Sequence, residues 1–427
     1  MGFADHYLSR QQPVYSNIHK DAIPDPGYCI IIPCYNEDNL TSTLESLWNC
    51  RRPEHGVEII IVVNSSQADP PGVIRQNQLT IHEFEDWHRS HRDPGIDFKL
   101  IDFQNMPVKF AGAGLARKTG MDAAVSLFND TDHREGLIIS LDADCTCDEN
   151  YLTEIESAFR KERDASCALI YFEHPVSGNG FPPMIYSGII QYELYLRYHV
   201  EYLRFIKYPI AFHTLGSCFA VKADAYVRQG GMNRKKAGED FYFLQKLFLS
   251  DKIIEINQTR VIPSPRPSLR IPFGTGPVIH KLMESGNRSM DTYTPEAYDD
   301  LGKFIALIPK LFRINLADTE SLLEGLPDSI YTFLLNNGIL EKINEINQNT
   351  GSKPSFIKRV YNWFNAFMVV KFLNTAHQKH YDKLPVSKAA GLLLQKKGYT
   401  GKKNTGSKAL LTTYRYIQRS THYTIHL

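Results

Sequence analysis

Short, almost wholly apolar runs alternate with amphipathic stretches through the first two thirds of the chain. Tyr28-Cys-Ile-Ile-Ile-Pro33, Val57-Glu-Ile-Ile-Ile-Val-Val63, Phe98-Lys-Leu-Ile-Asp-Phe103, Leu137-Ile-Ile-Ser-Leu141, Ala168-Leu-Ile-Tyr-Phe172 and residues 252–262 have the length and composition of strands buried on both faces. Between them the apolar positions recur at helical spacing. Leu40, Leu44, Leu47 and Trp48 share one face, residues 73–92, 112–128 and 149–162 read as helices, and Phe243, Leu244, Leu247 and Phe248 form the apolar side of another. Strand and helix alternating at this interval predict an α/β fold: a mostly parallel sheet with right-handed crossovers and helices on both faces.

From 184 to 208 a long helical pattern carries Tyr195, Tyr198, Tyr202 and Phe205, which read as a core-facing aromatic stripe in preference to a sugar-stacking platform. After residue 262 the texture changes to Pro263-Ser-Pro-Arg-Pro-Ser-Leu-Arg-Ile-Pro-Phe-Gly-Thr-Gly276. This is either a proline-stiffened linker or an ordered loop whose Arg266, Arg270 and glycines lie over an anionic ligand. From 297 onward the pattern is helical. The expected organisation is a lead-in (1–27), the α/β domain (28–284), a helical C-terminal unit (285–385) and a basic tail (386–427).

Composition narrows the class without naming a function. At 43% hydrophobic and 22% charged over 427 residues, the chain reads as globular, and no apolar run reaches the ~18 residues of a membrane span. No basic-then-apolar secretory segment opens it, and seven cysteines are scattered singly. A reducing, cytoplasmic setting is therefore expected, with no zinc at Cys145-x-Cys147, which lacks a second ligand pair. The net charge is +1, but nine Lys and Arg follow Asp382 with no acid among them, which leaves the preceding chain at −8. Such a tail is either solvated or a peripheral contact with an anionic membrane surface; nucleic acid is not an expected partner.

The candidate chemistry starts at Asp142 and Asp144. They end an apolar strand, and the carboxyl ends of strands are where open α/β sheets bind ligands. Two hard oxygen ligands suit Mg²⁺ or Mn²⁺, which share their shell between a carboxylate or two and substrate phosphates; an Asp-x-Asp that merely caps a turn is the plain alternative. Glu239 and Asp240 open a later helix, a position that the helix dipole also favours for acids.

Taken in order, Ile32-Pro-Cys-Tyr-Asn-Glu37, Ile60-Ile-Val-Val-Asn64-Ser-Ser, Gly114-Leu-Ala-Arg117-Lys-Thr-Gly120, Leu141-Asp-Ala-Asp144, Gly216-Ser-Cys-Phe-Ala-Val-Lys222 and Gly238-Glu-Asp240 resemble the motifs of family 2 glycosyltransferases of the GT-A fold over about residues 28–262. The resemblance implies a sugar transfer from a UDP- or GDP-linked donor. Pro33, Tyr35 and Glu37 would border nucleobase and ribose. Asn64 stands where an aspartate usually bonds the base; an amide both donates and accepts, which leaves base identity open. Arg117 would approach the phosphates, Asp142 ribose and metal, and Asp144 the metal. Asp240 would be the base toward an acceptor hydroxyl, with Glu239 beside it. Gly216, Ser217, Arg266 and Arg270 would belong to an acceptor or phosphate loop, and His280 is a further candidate ligand against the plainer reading of a solvated histidine.

The Gln-x-x-Arg-Trp motif and membrane helices of processive synthases are absent, so transfer of one or a few sugars, with inversion, to a glycan or lipid-linked acceptor is expected. A retaining transferase and an inactive sugar-nucleotide scaffold are the alternatives. Adjacent Glu239 and Asp240 do not flank a bond as a glycosidase pair must. The turn after the first strand is acidic where a nucleotidyltransferase would be glycine-rich and basic. It also lacks the Gly-x-Gly-x-x-Gly of a dinucleotide-binding dehydrogenase.

Overall fold

A computed structural model describes residues 2–11, 22–234, 238–268, 270, 274–285, 289–399, 406–421 and 423. The chain divides into two compact units: residues 1–175, 214–277 and 419–424 form the first, and 176–213, 278–418 and 425–427 the second. This differs from the division expected at 284/285. The helical pattern at 184–208 belongs with the C-terminal helices, because an amphipathic period reports that a face is covered, not which partner covers it.

The first unit holds β1 (Pro26–Cys34), β2 (Gly56–Ser66), β3 (Ile96–Met106), β4 (Leu137–Ser140), β5 (Cys145–Cys147), β6 (Cys167–Phe172), β7 (Phe219–Lys222) and β8 (Ile253–Pro263). They form one sheet in the order β3-β2-β1-β4-β7-β6-β8-β5. β3, β2, β1 and β4 run parallel and β6 parallels β8, whereas β7 is antiparallel to β4 and β6, and β5 to β8. The α/β expectation holds, with two reversed strands added. β1 does not stop at Pro33 but continues to Cys34, with Pro33 opposite Val62. Pairing of β1 with β4 ends at Ile31–Ser140, so the missing proline N–H removes no bond on that side.

α1 (Asp5–Leu8) precedes β1, and between the strands lie α2 (Leu40–Trp48), α3 (Pro71–Ser90), α4 (Ala113–Asp130) and α5 (Tyr151–Lys161). Ile30, Ile31, Ile59 to Val63, Ile138 and Ile139 are fully buried, which explains why these strands carry continuous apolar runs. α4 lies against β1 and β2 at Gly120, where an added Cβ would stand 2.5 Å from Ile31 Cγ2 and 3.2 Å from Val62 Cγ2. Gly120→Ala is expected to destabilise the chain by ~1–3 kcal/mol through overpacking, although alanine is the better helix former. Urea unfolding of the variant checks this.

In the second unit α6 (Pro183–Phe205) carries the aromatic stripe. After it, α7 (Ala223–Arg228) and α8 (Glu239–Ser250) return to the first unit, and α9 (Thr275–Ser285), α10 (Pro295–Leu307), α11 (Leu316–Glu324), α12 (Asp328–Leu335), α13 (Ile339–Gln348), α14 (Lys353–Trp363), α15 (Ala366–Lys379), α16 (Val386–Lys396) and α17 (Ser407–Ser420) follow. Tyr198 and Tyr202 are wholly buried, and Tyr202 stacks on Tyr298 with centroids 4.5 Å apart. Their hydroxyls donate to the Tyr293 carbonyl (2.9 Å) and Asp299 Oδ1 (3.0 Å), so this part of the stripe is core, while Phe205 is exposed.

Residues 386–427, read as a basic tail, contain α16 and α17 with buried apolar faces. Lys397 Nζ donates to Glu201 Oε2 (2.6 Å), Lys396 pairs with Asp299, and Arg415 grips buried Glu193 through Nε and Nη2 (2.8 and 2.7 Å). The charge asymmetry along the sequence is thus in part cancelled within the helical unit. Lys402 and Lys403 lie outside the described residues. Among the described residues no helix is long and apolar enough to cross a membrane.

Candidate active site

The convergent acids project from turns at the carboxyl ends of β1 and β4 or from the start of α8. β4 ends at Ser140, one residue earlier than the apolar run suggests, so Asp142 and Asp144 sit in the connection to β5. The turn after β1 is tight: Asn36 has φ 48°, and its N–H is accepted by Asn77 Oδ1 on α3 at 2.9 Å. That turn drives Glu37 inward to 1% exposure, where its carbonyl accepts from Thr80 Oγ1 (2.6 Å) and Gln76 Nε2 (3.0 Å).

Arg117 on α4 organises the centre. Its buried guanidinium donates from Nε to Glu239 Oε1 (3.1 Å), from Nη1 to Ser140 Oγ (2.8 Å) and the Gly216 carbonyl (3.2 Å), and from Nη2 to Asp142 Oδ1 (3.0 Å). Burial alone would depress its pKa; Asp142, Glu239 and Asp240 outweigh that and raise it. All three donor nitrogens already serve protein acceptors. Arg117 therefore holds the acids in place and leaves its charge, more than its hydrogen bonds, for the cleft. Gly216 fits because it has no side chain: a Cβ there would stand 2.8 Å from Arg117 Nη2 and 3.0 Å from Asp240 Oδ2.

The two acids at the start of α8 divide the work. Glu239 is buried and paired with Arg117. Asp240 forms no ion pair with a described residue; Oδ1 accepts the Phe241 N–H at 2.7 Å. Burial pushes its carboxyl up to about 6, neighbouring Glu239 adds to this, and Arg117 opposes it. A carboxylate so poised is a competent general base near neutral pH.

Asp144 is also pushed up to about 6, first by burial and further by Asp142 and Glu37, against the pull of Arg266 and Arg270. Arg266 and Arg270 do come to the site, as the loop reading expected, but they meet carboxylates there. Asn64 is buried at the end of β2, with Nδ2 donating to the carbonyls of Cys34 (2.8 Å) and Val62 (3.4 Å). Its donor side is spent, and the amide offers only Oδ1 as a further partner. Tyr35 donates to Asp69 Oδ1 at 3.2 Å.

Ser217 is buried, 3.4 Å from the thiol of Cys218, and thus faces the protein rather than a loop ligand. His280 lies on α9, counted with the helical unit, with Nδ1 3.4 Å from Glu284 Oε2 one turn on. Sequence reasoning missed Ser140, Asn77 and Thr80. Ser140 left a signal, the one hydroxyl inside the run Leu137–Leu141; the others are polar residues on a helix already rich in them.

Among the described residues no group of three or more His, Cys, Asp or Glu is arranged to hold a metal ion. Asp142 and Asp144 are two hard donors with side chains 39% and 32% exposed, a set that fits Mg²⁺ or Mn²⁺ when phosphate oxygens complete the shell.

Acids at strand ends gather around a buried arginine, and one of them, Asp240, has no ion-pair partner among the described residues, which makes this cleft of the α/β unit the candidate active site. Residues 29–228 match the family model described as glycosyl transferase family 2. They form a domain of that family, so the chain carries a family 2 glycosyltransferase domain. A comparison with proteins of curated function finds no match. Among solved structures, the chain is similar to crystal structures of S. aureus TarS 1–349. The complex with UDP-GlcNAc is 13% identical, with 79% of this chain and 91% of that one covered and a TM-score of 0.39. For the complex with UDP the values are 14%, 79%, 92% and 0.37.

Proposed function

We propose that this chain transfers a sugar from a nucleoside-diphosphate sugar to a hydroxyl of a glycan acceptor, with inversion and without processive elongation. The observation that carries the reading is Asp240: a half-buried carboxylate with no ion-pair partner among the described residues, next to Arg117 and Asp142. In this reading Asp240 accepts the acceptor proton as the oxygen attacks, a contribution of ~10²–10⁴ in rate. Glu239 keeps Arg117 in place, and Arg117 holds Asp142 toward the cleft. Asn64 presents an acceptor to the nucleobase, as the aspartate usual at that position would, and Tyr35 borders it. Asp142 and Asp144 would hold Mg²⁺ or Mn²⁺. When bound, that ion supplies Lewis-acid stabilisation of the departing diphosphate.

A thermal-shift screen of UDP-, GDP-, CDP- and ADP-linked ligands, each with and without Mn²⁺, tests this. A nucleotide at 100 times its Kd stabilises the fold by about 2.7 kcal/mol. The expected result is a rise in Tm for at least one nucleotide that is larger with Mn²⁺ and reversed by EDTA. No shift with any nucleotide would remove the donor reading, and a shift indifferent to Mn²⁺ would remove the metal.

A further inference from the structure

One guanidinium ties together the two acidic turns of the site. Arg266 pairs through both terminal nitrogens with buried Glu37, donates from Nη1 to Asp38 Oδ1 at 3.1 Å, and stands with Nη2 3.1 Å from Asp144 Oδ2. Arg270 adds a second cation, Nη1 3.1 Å from Glu37 Oε2. The root of this loop is fixed: Pro263 pairs with Cys145 in the sheet, and the Ser264 N–H donates to the Asp144 carbonyl at 3.2 Å. Pro265 and Pro267 flank Arg266 and set φ on both sides. Arg266 therefore leaves Asp144 by turning its side chain, with no need to unfold the loop. Nor is the guanidinium fully satisfied, for its Nε is buried without a partner among the described residues.

A divalent cation on Asp144 and a guanidinium on the same carboxylate repel one another. That repulsion is weakly screened where the carboxylate is shielded from water. We propose that Arg266 is a built-in counter-ion that caps the cation site: with no donor bound it pairs with Glu37, Asp38 and Asp144, and it must leave Asp144 for Mg²⁺ or Mn²⁺ to enter. This rests on reading Asp142 and Asp144 as the cation's ligands. It adds that the donor-free enzyme is self-occluded, so that metal alone binds weakly and metal with a diphosphate binds better, because the diphosphate gives the released Arg266 and Arg270 a new anionic partner.

Electron paramagnetic resonance of free Mn²⁺ titrated with the full chain measures this without turnover. Arg266→Gln is expected to bind Mn²⁺ alone at least about tenfold more tightly than the native chain, and adding UDP should tighten Mn²⁺ binding more in the native chain than in the variant. Equal or weaker Mn²⁺ binding by Arg266→Gln overturns the proposal. Because Arg266→Gln leaves buried Glu37 short of a partner, Glu37→Gln with and without Arg266→Gln provides a second comparison, with the same tightening expected. If Asp144→Asn binds Mn²⁺ as the native chain does, the cation sits elsewhere and the metal assignment itself falls. That outcome is distinct from an Asp144-dependent site insensitive to Arg266, which overturns the cap alone.

Discussion

Asp240→Asn is expected to lower kcat by ~10²–10⁴ while making the folded chain more stable above pH 6. The two effects share one cause. Burial and the neighbouring Glu239 raise the Asp240 carboxyl from its ordinary 3.8 to about 6, and Arg117 only partly offsets this. The folded state then holds a proton between pH 4 and 6 that the unfolded chain has released, so stability is greatest below pH 4 and falls as pH rises toward 6. Above that the penalty of the buried charge is complete. An asparagine of the same shape carries no charge and escapes the penalty, by about 1–3 kcal/mol at pH 8, with the difference vanishing near pH 4. Urea unfolding at both pH values reads this directly. In the native enzyme kcat/KM should fall below pH ~6 as the base is protonated. A variant with full turnover would remove Asp240 from the chemistry. One with low turnover but no pH-dependent gain in stability would show that its carboxyl is not held up.

This coupling of poor solvation to activity bears on what the sequence reveals. Runs such as Ile59 to Val63 announce themselves because a strand covered on both faces has no polar position to spare. Asp142, Asp144, Glu239 and Asp240 are legible for the complementary reason: acids directly after an apolar run, or opening a helix, break the local pattern. What the pattern does not carry is partnership across the chain. Glu37 and Arg266 are 229 residues apart, and nothing in either neighbourhood shows that they meet. Asn77 looks like one more polar residue on α3, yet it holds the Asn36 N–H and the Asn64 carbonyl together. The reversed strands β5 and β7 escaped for another reason, since three or four residues are too few to show a period. Arg117 lay between: the family resemblance implied a place near phosphate, but not that its three donor nitrogens would all serve protein acceptors.

That role gives the other large effect. Arg117→Met keeps most of the side chain's volume and removes its charge. Asp142 would retain some solvent, but Glu239, 4% exposed at its side chain, would be left as an uncompensated buried carboxylate. Breaking such a pair by removing one partner costs ~3–5 kcal/mol, far more than the pair contributes when compared with an apolar replacement of both members. Ser140 Oγ and the Gly216 carbonyl also lose their donor, so Gly216 and the start of α8 lose the contact that sets their spacing. The expected result is a loss of ~3–5 kcal/mol in urea unfolding, together with loss of turnover. A second substitution separates charge from geometry. Arg117→Met with Glu239→Gln removes the orphaned charge and should recover a kilocalorie or more, a non-additivity of the kind found for groups in direct contact, ~0.5–3 kcal/mol. Turnover should not return with it, because Asp142 still lacks its anchor. Recovery of stability without activity would identify Arg117 as the residue that positions the acids; equal losses in the single and double variants would mean that Glu239 finds another counter-charge and that the arginine matters for its bulk alone.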